Sequence, residues 1–333
     1  MSQTIAEYVD RAQRIVVVQA DNPDGDSLAS SLALEQILGD MGKDVYQYCG
    51  VDIPTYLRHL PGWDRVNKQL PSQFDLSIIV DTSAISLLEQ LQKTGQIGSL
   101  TTRPSIVIDH HPVENTIYFS TILINKPAVA TGELLYELVN ENKWPMSLEV
   151  KEFLAISILS DSLGLMSEAT TGQSIHIMAE LVESGVSLAK LESARRETMR
   201  KSPDIVHFKG ELLQRVEYFD ENRIAAVTIS HSEIAAYSHE YNPSMLVLDD
   251  MRLTTNTDVA IAFKTYADGK ITAKIRCNYG KGIATDLAQY FGGGGHPYAS
   301  GFKVTDKRPF TEVKTDCINK ASELLRQLES TTQ

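Results

Sequence analysis

The sequence predicts an α/β protein, with a mainly parallel sheet in an N-terminal domain and a smaller mixed α/β domain after it. Three observations predict this class. Through the first half, short β-branched runs alternate with stretches of helical periodicity, the order that builds βαβ units. A charged helical stretch breaks the alternation near residues 188–218. Beyond it, strand-like runs return, and two of them flank Ala267-Asp268-Gly269, a hairpin turn.

Arg14–Gln19 (RIVVVQ) reads as a buried strand. Ser27–Met41 places apolar residues at helical spacing and is followed by Gly42, a helix stop. Asp44–Cys49, Asp75–Val80 and Ser105–Ile108 are short strands, and Thr121–Asn125 is a further candidate. Helices are expected over Gly132–Asn140 and Leu148–Leu159. The charged stretch is expected to be interrupted at Ser202-Pro203, because proline restricts the residue before it. Arg223–Ser230, Val259–Thr265, Ile271–Cys277 and Ser300–Val304 are strands of the second domain, and Ile283–Tyr290 is a helix. The expected organisation is a first domain over residues 1–190, a helical connector acting as a hinge over 191–218, and a second domain over 219–333.

The chain has 333 residues, room for two domains of roughly 100–200 residues each. Its formal net charge is −12, which disfavours a grip on long nucleic acid, where many phosphates must be neutralised. A small phosphate ligand held by a local cluster is compatible with that charge. Cys49, Cys277 and Cys317 form no CxxC pair, so neither a disulfide framework nor a thiolate zinc site is predicted. The polar N-terminus has no apolar signal region, and no apolar run is long enough to span a bilayer. A cytoplasmic protein without a membrane partner is expected, and a homodimer is compatible with the sequence.

The candidate chemistry lies just after the strands of the first domain. Asp24 and Asp26 follow the first strand, Asp81 follows LSIIV, and Asp109, His110 and His111 follow SIVI. Ligands of parallel α/β sheets collect outside the carboxyl ends of the strands, so these groups are expected to converge. Asp161, at the end of an apolar helix, can approach the same crevice. Carboxylates with imidazole and no thiolate suit Mn²⁺ or Mg²⁺. Singly, each motif has a plainer reading: Asn22-Pro23-Asp24-Gly25-Asp26 as a turn ending in a helix cap, Asp81-Thr82-Ser83 as another cap, and the histidines as a loop pair. The joint placement favours a metal site.

In the second domain, Gly292-Gly293-Gly294-Gly295-His296 runs directly into the strand after it, unlike a flexible linker. Small residues there would let backbone N–H groups approach an anion closely. Arg276, at the end of ITAKIR, can grip a phosphate through two parallel hydrogen bonds or be an ordinary surface arginine.

The order PDGD, DTS, DHH, SDS and GGGGHPYASGF resembles the DHH/DHHA1 phosphoesterases over nearly the whole chain. Within them it is most similar to bacterial enzymes that degrade nano-RNA and dephosphorylate 3′-phosphoadenosine 5′-phosphate. The resemblance implies two cations. Asp24 and Asp81 would hold the first, and Asp26, Asp81, His110 and Asp161 the second. His111 would contact the scissile phosphate, and Asp109 would orient its neighbours. Arg276, Gly293, Gly294, Gly295 and His296 would bind substrate. The implied activity is metal-assisted hydrolysis of nano-RNA, dinucleotides such as pApA, or phosphoadenosine phosphate. One position departs from the pattern: the family's metal-binding histidine is Ala20 here. Asn22 would share its face on a continuing strand, whereas Asp21 could serve only if the backbone bulged. The departure leaves room for a single cation or for a regulator that binds nucleotides without cleaving them, and the resemblance also leaves open a cyclic-dinucleotide phosphodiesterase.

Overall fold

The computed structural model describes residues 2–112 and 114–332. The chain divides into two compact units, residues 1–200 and 201–333. The first unit contains α1 (Ser2–Arg11), β1 (Arg14–Val18), α2 (Gly25–Asp40), β2 (Asp44–Tyr48), β3 (Leu76–Val80), α3 (Glu89–Lys93), α4 (Ile97–Thr101), β4 (Ser105–Asp109), β5 (Ile122–Asn125), α5 (Thr131–Asn142), α6 (Leu148–Asp161), α7 (Gly172–Glu183) and α8 (Leu188–Thr198). Its five strands form one parallel sheet in the order β2-β1-β3-β4-β5. The β-branched run of β1 explains its central place. Ile15 and Val17 enter the core on one face, while Val16 and Val18 enter a second core on the other.

Helix α2 is buried continuously from Gly25 through Leu34 and packs on α6. Gly25 makes the contact possible, because a Cβ there would run into the side chain of Ser160 on α6, and Gly132 does the same for α5, where a Cβ would strike Ser157 of α6. Gly42, at φ +79°, terminates α2 in the left-handed conformation that glycine adopts readily.

The second unit contains α9 (Pro203–Gln214), β6 (Glu217–Phe219), β7 (Ile224–Ile229), α10 (His231–Tyr237), α11 (Leu248–Arg252), β8 (Val259–Thr265), β9 (Ile271–Cys277), α12 (Ala284–Tyr290), β10 (Gly294–His296), β11 (Ala299–Val304) and α13 (Phe310–Thr332). Its mixed sheet runs β10-β11-β9-β8-β7-β6, with only β7 and β8 parallel. One sheet face packs under α12 and α13, through Ala273, Ile275, Leu287, Val313 and Cys317. On the other, α9 and α11 cover Ala225, Val227, Ala260 and Ala262.

The strand and helix expectations hold to within a few residues at their ends. The span expected as a connector is divided between the units. Helix α8 lies in the first, and Ser202 caps α9 in the second, where Ile205, Phe208 and Leu212 are buried. Helices α1, α7 and α13 were not expected, and the glycine run extends into strand β10. No helix of the described residues is long and apolar enough to cross a membrane.

Candidate functional site

The site is built where backbone elements end. His110 follows β4, Asp81 follows β3, Asp26 sits in the first turn of α2, and Asp161 is the last residue of α6. Nε2 of His110 lies 3.3 Å from Asp161 Oδ2, 3.4 Å from Asp81 Oδ1 and 3.5 Å from Asp26 Oδ2. The opposite nitrogen, Nδ1, donates to the carbonyl of Ala128 at 3.1 Å. With Nδ1 so engaged, Nε2 carries the second proton of the imidazolium or, where a cation displaces that proton, offers a lone pair. Nε2 is buried and makes no hydrogen bond of its own. Facing three carboxylates, that nitrogen needs either its proton or a metal ion among them, because a bare lone pair there would be repulsive. Ligand atoms of Asp26, His110 and Asp161 lie within 4.8 Å of one another, as do those of Asp81, His110 and His111. Oxygen and imidazole donors at this spacing fit a hard or borderline divalent cation.

Electrostatics give the same reading. Burial, and then the charge of Asp161, push the Asp26 carboxyl up to about 6. Burial, and then the charge of Asp26, hold Asp81 well above the usual carboxylate range. Burial alone would lower His110, but Asp161, Asp81 and Asp26 outweigh it and raise the imidazole to about 11. Without a cation the cluster therefore retains protons that a cation would displace. Asp81 also sits at φ +60°, a strained backbone for a residue with a side chain. Its amide is held by the Ile108 carbonyl at 2.9 Å.

Asp26 is fully buried and fixed by three donors. The hydroxyls of Ser157 (2.5 Å) and Ser30 (2.9 Å) bind Oδ1, and the Thr131 amide binds Oδ2 at 2.7 Å. The Thr131 hydroxyl also donates to Asp81 at 3.3 Å. Sequence reasoning missed Ser30, Thr131 and Ser157. Two carried a signal: Ser30 lies one helical turn after Asp26, and Ser157 one turn before Asp161.

Asp109 is buried and does not face the cluster around Nε2. Its Oδ1 accepts from His111 Nδ1 at 2.7 Å and from the His111 amide at 3.2 Å. Burial raises the Asp109 carboxyl, yet the hydrogen bond from His111 holds it below its ordinary value. The same bond raises His111, whose side chain is 47% exposed. Asp24 is the N-cap of α2, in a reciprocal box with Ser27, so here the plainer reading of the motif also describes the residue. Its exposed carboxylate joins neither three-residue grouping among the described residues, although its charge helps to raise Asp81. Ala20 is buried, Asn22 is exposed, and Asp21 turns aside to accept the Gln90 amide at 2.8 Å. None of the three joins either grouping.

In the second unit, His296 pairs with Ala299, which pairs on its other side with Arg276. The three share one sheet face, with His296 and Arg276 about 10 Å apart across two strand spacings. Gly293 and Gly295 serve the packing of the chain against β11: a Cβ on Gly293 would strike Gly301 and Phe302, and one on Gly295 would strike Ala299 and Ser300. Gly294 faces open space and is the glycine of the run where an anion can reach the backbone.

Residues 14–158 match the family model described as DHH family, N-terminal domain. Over 301 residues the chain is 24% identical to the probable bifunctional oligoribonuclease and PAP phosphatase NrnA of Streptococcus mutans, covering 90% of this chain and 92% of that protein. It is 27% identical over 168 residues to a probable manganese-dependent inorganic pyrophosphatase of Staphylococcus aureus, covering 48% of this chain and 52% of the other. The crystal structure of an exopolyphosphatase-related protein from Bacteroides fragilis superposes with a TM-score of 0.83 at 21% identity, covering 98% of this chain and 97% of that one, so the fold is shared.

Proposed function

Taking residues 14–158 as a DHH-family N-terminal domain, we propose that the chain is a divalent-metal-dependent phosphoesterase acting on short oligonucleotides, on 3′-phosphoadenosine 5′-phosphate, or on both. As a hydrolase of phosphate esters it agrees with the names of its relatives, and the finer substrate choice follows the oligoribonuclease and PAP phosphatase relative. The observation that carries the reading is the unpartnered Nε2 of His110 facing three carboxylates.

Asp26, Asp81, His110 and Asp161 would hold the cation, with Mn²⁺ favoured by the pyrophosphatase relative. When bound, it supplies Lewis acidity toward a phosphoryl oxygen and makes water acidic enough to lose a proton near neutral pH. The residues do the rest. Ser157, Ser30 and Thr131 fix the Asp26 carboxylate, and Ala128 fixes the His110 ring. Asp109 binds Nδ1 of His111 and leaves Nε2 of that half-exposed ring for a phosphoryl or leaving-group oxygen. The raised affinity of His111 for its proton suits it to donate a hydrogen bond there. Arg276, the backbone at Gly294, and His296 are assigned to binding the substrate.

The test is release of mononucleotide from 5′-labelled pApA, and of phosphate from phosphoadenosine phosphate, by the full chain with Mn²⁺. Turnover that disappears in Asp81→Asn is the expected result. Equal turnover by the parent and the variant would overturn the reading. One observation favours a second reading, a nucleotide-binding regulator: residues 20–22 add no ligand to the cluster. Tight metal-dependent binding of pApA without product would establish it.

A further inference from the structure

We propose that a cavity at the far end of the first unit from the metal cluster is a second, non-catalytic site, which binds a nucleoside monophosphate through the indole of Trp144 and the ammonium groups of Lys143 and Lys151. The choice of ligand rests on the phosphoesterase reading, since such a molecule is the class of product that hydrolysis would release.

The cavity lies where three helices come together. Helices α5 and α7 end there, and the start of α6 forms the third wall. Its volume of about 420 Å³ falls within the range of small-molecule sites, roughly 300–1,000 Å³. It is separate from the metal cluster, although it shares helices with it. Lys151 precedes Asp161 by ten residues on α6, which is about 15 Å at a rise of 1.5 Å per residue. Thr131, which donates to Asp26 and Asp81, begins α5, and Lys143 caps the opposite end of that helix.

The floor is apolar and the rim is cationic. Val139 and Leu181 are buried beneath the cavity. Tyr136, Trp144 and Met146 line it, only partly buried and packed on the same core. An indole or phenol left half covered beside a cavity offers a surface on which a planar ring can stack. The indole N–H makes no hydrogen bond among the described residues, so it is available to a ligand.

The charges on the rim are uncompensated. Neither Lys143 nor Lys151 has a carboxylate within 4.0 Å among the described residues, in a chain of net charge −12. By contrast, Lys126 and Lys190 are paired with Glu137 of α5 and Glu152 of α6. Glu180, the carboxylate that lines the cavity, accepts from the Tyr136 hydroxyl and lies 3.5 Å from His176 Nε2. Lys143 sits at φ +54°, a left-handed cap that glycine would adopt at lower cost, so the turn itself gains nothing from a lysine there. Two unpaired cations call for an anion, and the aromatic wall calls for a planar ring. A nucleoside monophosphate carries both, whereas a bare nucleoside or inorganic phosphate carries one.

Trp63 and Trp144 are the two tryptophans of the chain, so in Trp63→Phe the emission reports on Trp144 alone. In EDTA, AMP titrated into this full-length variant is expected to change the emission saturably, with a Kd below about 1 mM. Adding Lys143→Met or Lys151→Met should raise that Kd about tenfold, as loss of a hydrogen bond to a charged group does. Lys68→Met, which removes a cation paired with Asp52, should leave it unchanged. Adenosine and inorganic phosphate should each bind at least about tenfold more weakly than AMP. No saturable change up to about 5 mM AMP, or full affinity in both lysine variants, would overturn the site. Adenosine binding as tightly as AMP would overturn the phosphate assignment, and inorganic phosphate binding as tightly would overturn the ring assignment. If Trp63→Phe does not fold, calorimetry of the parent against Lys143→Met/Lys151→Met reads the same loss. The readout needs no metal, so a negative result leaves the hydrolysis test standing, and unchanged turnover in Asp81→Asn leaves the binding result standing.

Discussion

In the first unit, three carboxylates crowd one imidazole nitrogen; in the second, Lys264, Lys274 and Arg276 are spread along one sheet face over the neighbouring strands β8 and β9. Both arrangements hold like charges together without their counter-charge. They differ in convergence. The carboxylates meet within hydrogen-bonding distance of a single buried atom, as befits one compact ion. The lysines and arginine sit at strand intervals on a half-open surface, which suits an extended anion. Like charges left unpaired thus report both the sign of the missing partner and, through their spacing, its shape. In the first case the arrangement is rigidly imposed, by a strained Asp81 and by three donors on Asp26.

Removing a converging charge should have the largest effect. Asp81→Asn is expected to lower kcat by about a thousandfold or more, the equivalent of several kcal/mol of transition-state stabilisation. It should also abolish the rise in Tm on adding Mn²⁺, which for the parent corresponds to about 2.7 kcal/mol at a hundredfold excess over Kd. Retention of both responses would break the contrast, because the carboxylates would then have no special partner. His111→Gln, outside the crowded atom, should cost about a hundredfold in kcat. It should leave Mn²⁺ affinity, read by calorimetry, nearly unchanged; a large loss of affinity would instead make His111 a ligand.

The two regions also differed in how well sequence revealed them. A parallel sheet places its strand ends together, so Asp26, Asp81, His110 and Asp161 could be grouped from positions that are distant in sequence. Lys264 and Lys274 could not be grouped in this way. Their relation depends on which residues stand opposite each other in the ladder, and on where α11 and the Met245 turn stop covering the sheet. Nor could sequence divide the charged stretch after Leu188 between two cores, because that depends on which apolar faces pack together. Helix α7 was missed although Thr171 and Ser174 form a capping box at its start; its packing on α5 and α6, which buries Ile177, Met178 and Leu181, depends on partners distant in sequence.

Support from behind the cluster gives a smaller, sharper test. Ser157 donates to Asp26 and also accepts the Gly132 amide at 2.9 Å, so Ser157→Ala should weaken Mn²⁺ binding by about tenfold, as loss of a group that orients a ligand does. The change belongs in the metal dissociation constant; at saturating Mn²⁺, kcat should recover. A loss of kcat that Mn²⁺ cannot rescue would give Ser157 a role in the chemistry itself.

The smallest expected effect is on the stability of the metal-free protein, and its sign is distinctive. Folding raises the Asp26 carboxyl from an ordinary 3.8 to about 6. A group raised on folding is most stabilising while protonated, so its contribution is full below its unfolded value and is lost as pH climbs through 6. Asp81 is raised in the same direction and adds to the loss. His110, raised to about 11, stays charged throughout and does not offset the trend. Other carboxylates, Asp109 among them, are lowered on folding and change stability in the opposite sense, so the comparison must be made against Asp26→Asn. That variant can keep the local network. Its amide oxygen can accept from Thr131, and its NH₂ can donate to Ser157 and Ser30, whose hydroxyls can turn to receive it. In EDTA, the parent's Tm should therefore fall relative to the variant's between about pH 4 and pH 7, at about 2–4 °C per kcal/mol. Mn²⁺ should erase the difference in favour of the parent. Parallel Tm profiles in EDTA would mean that Asp26 holds its charge comfortably without a cation, and that the crowded carboxylates are not waiting for one.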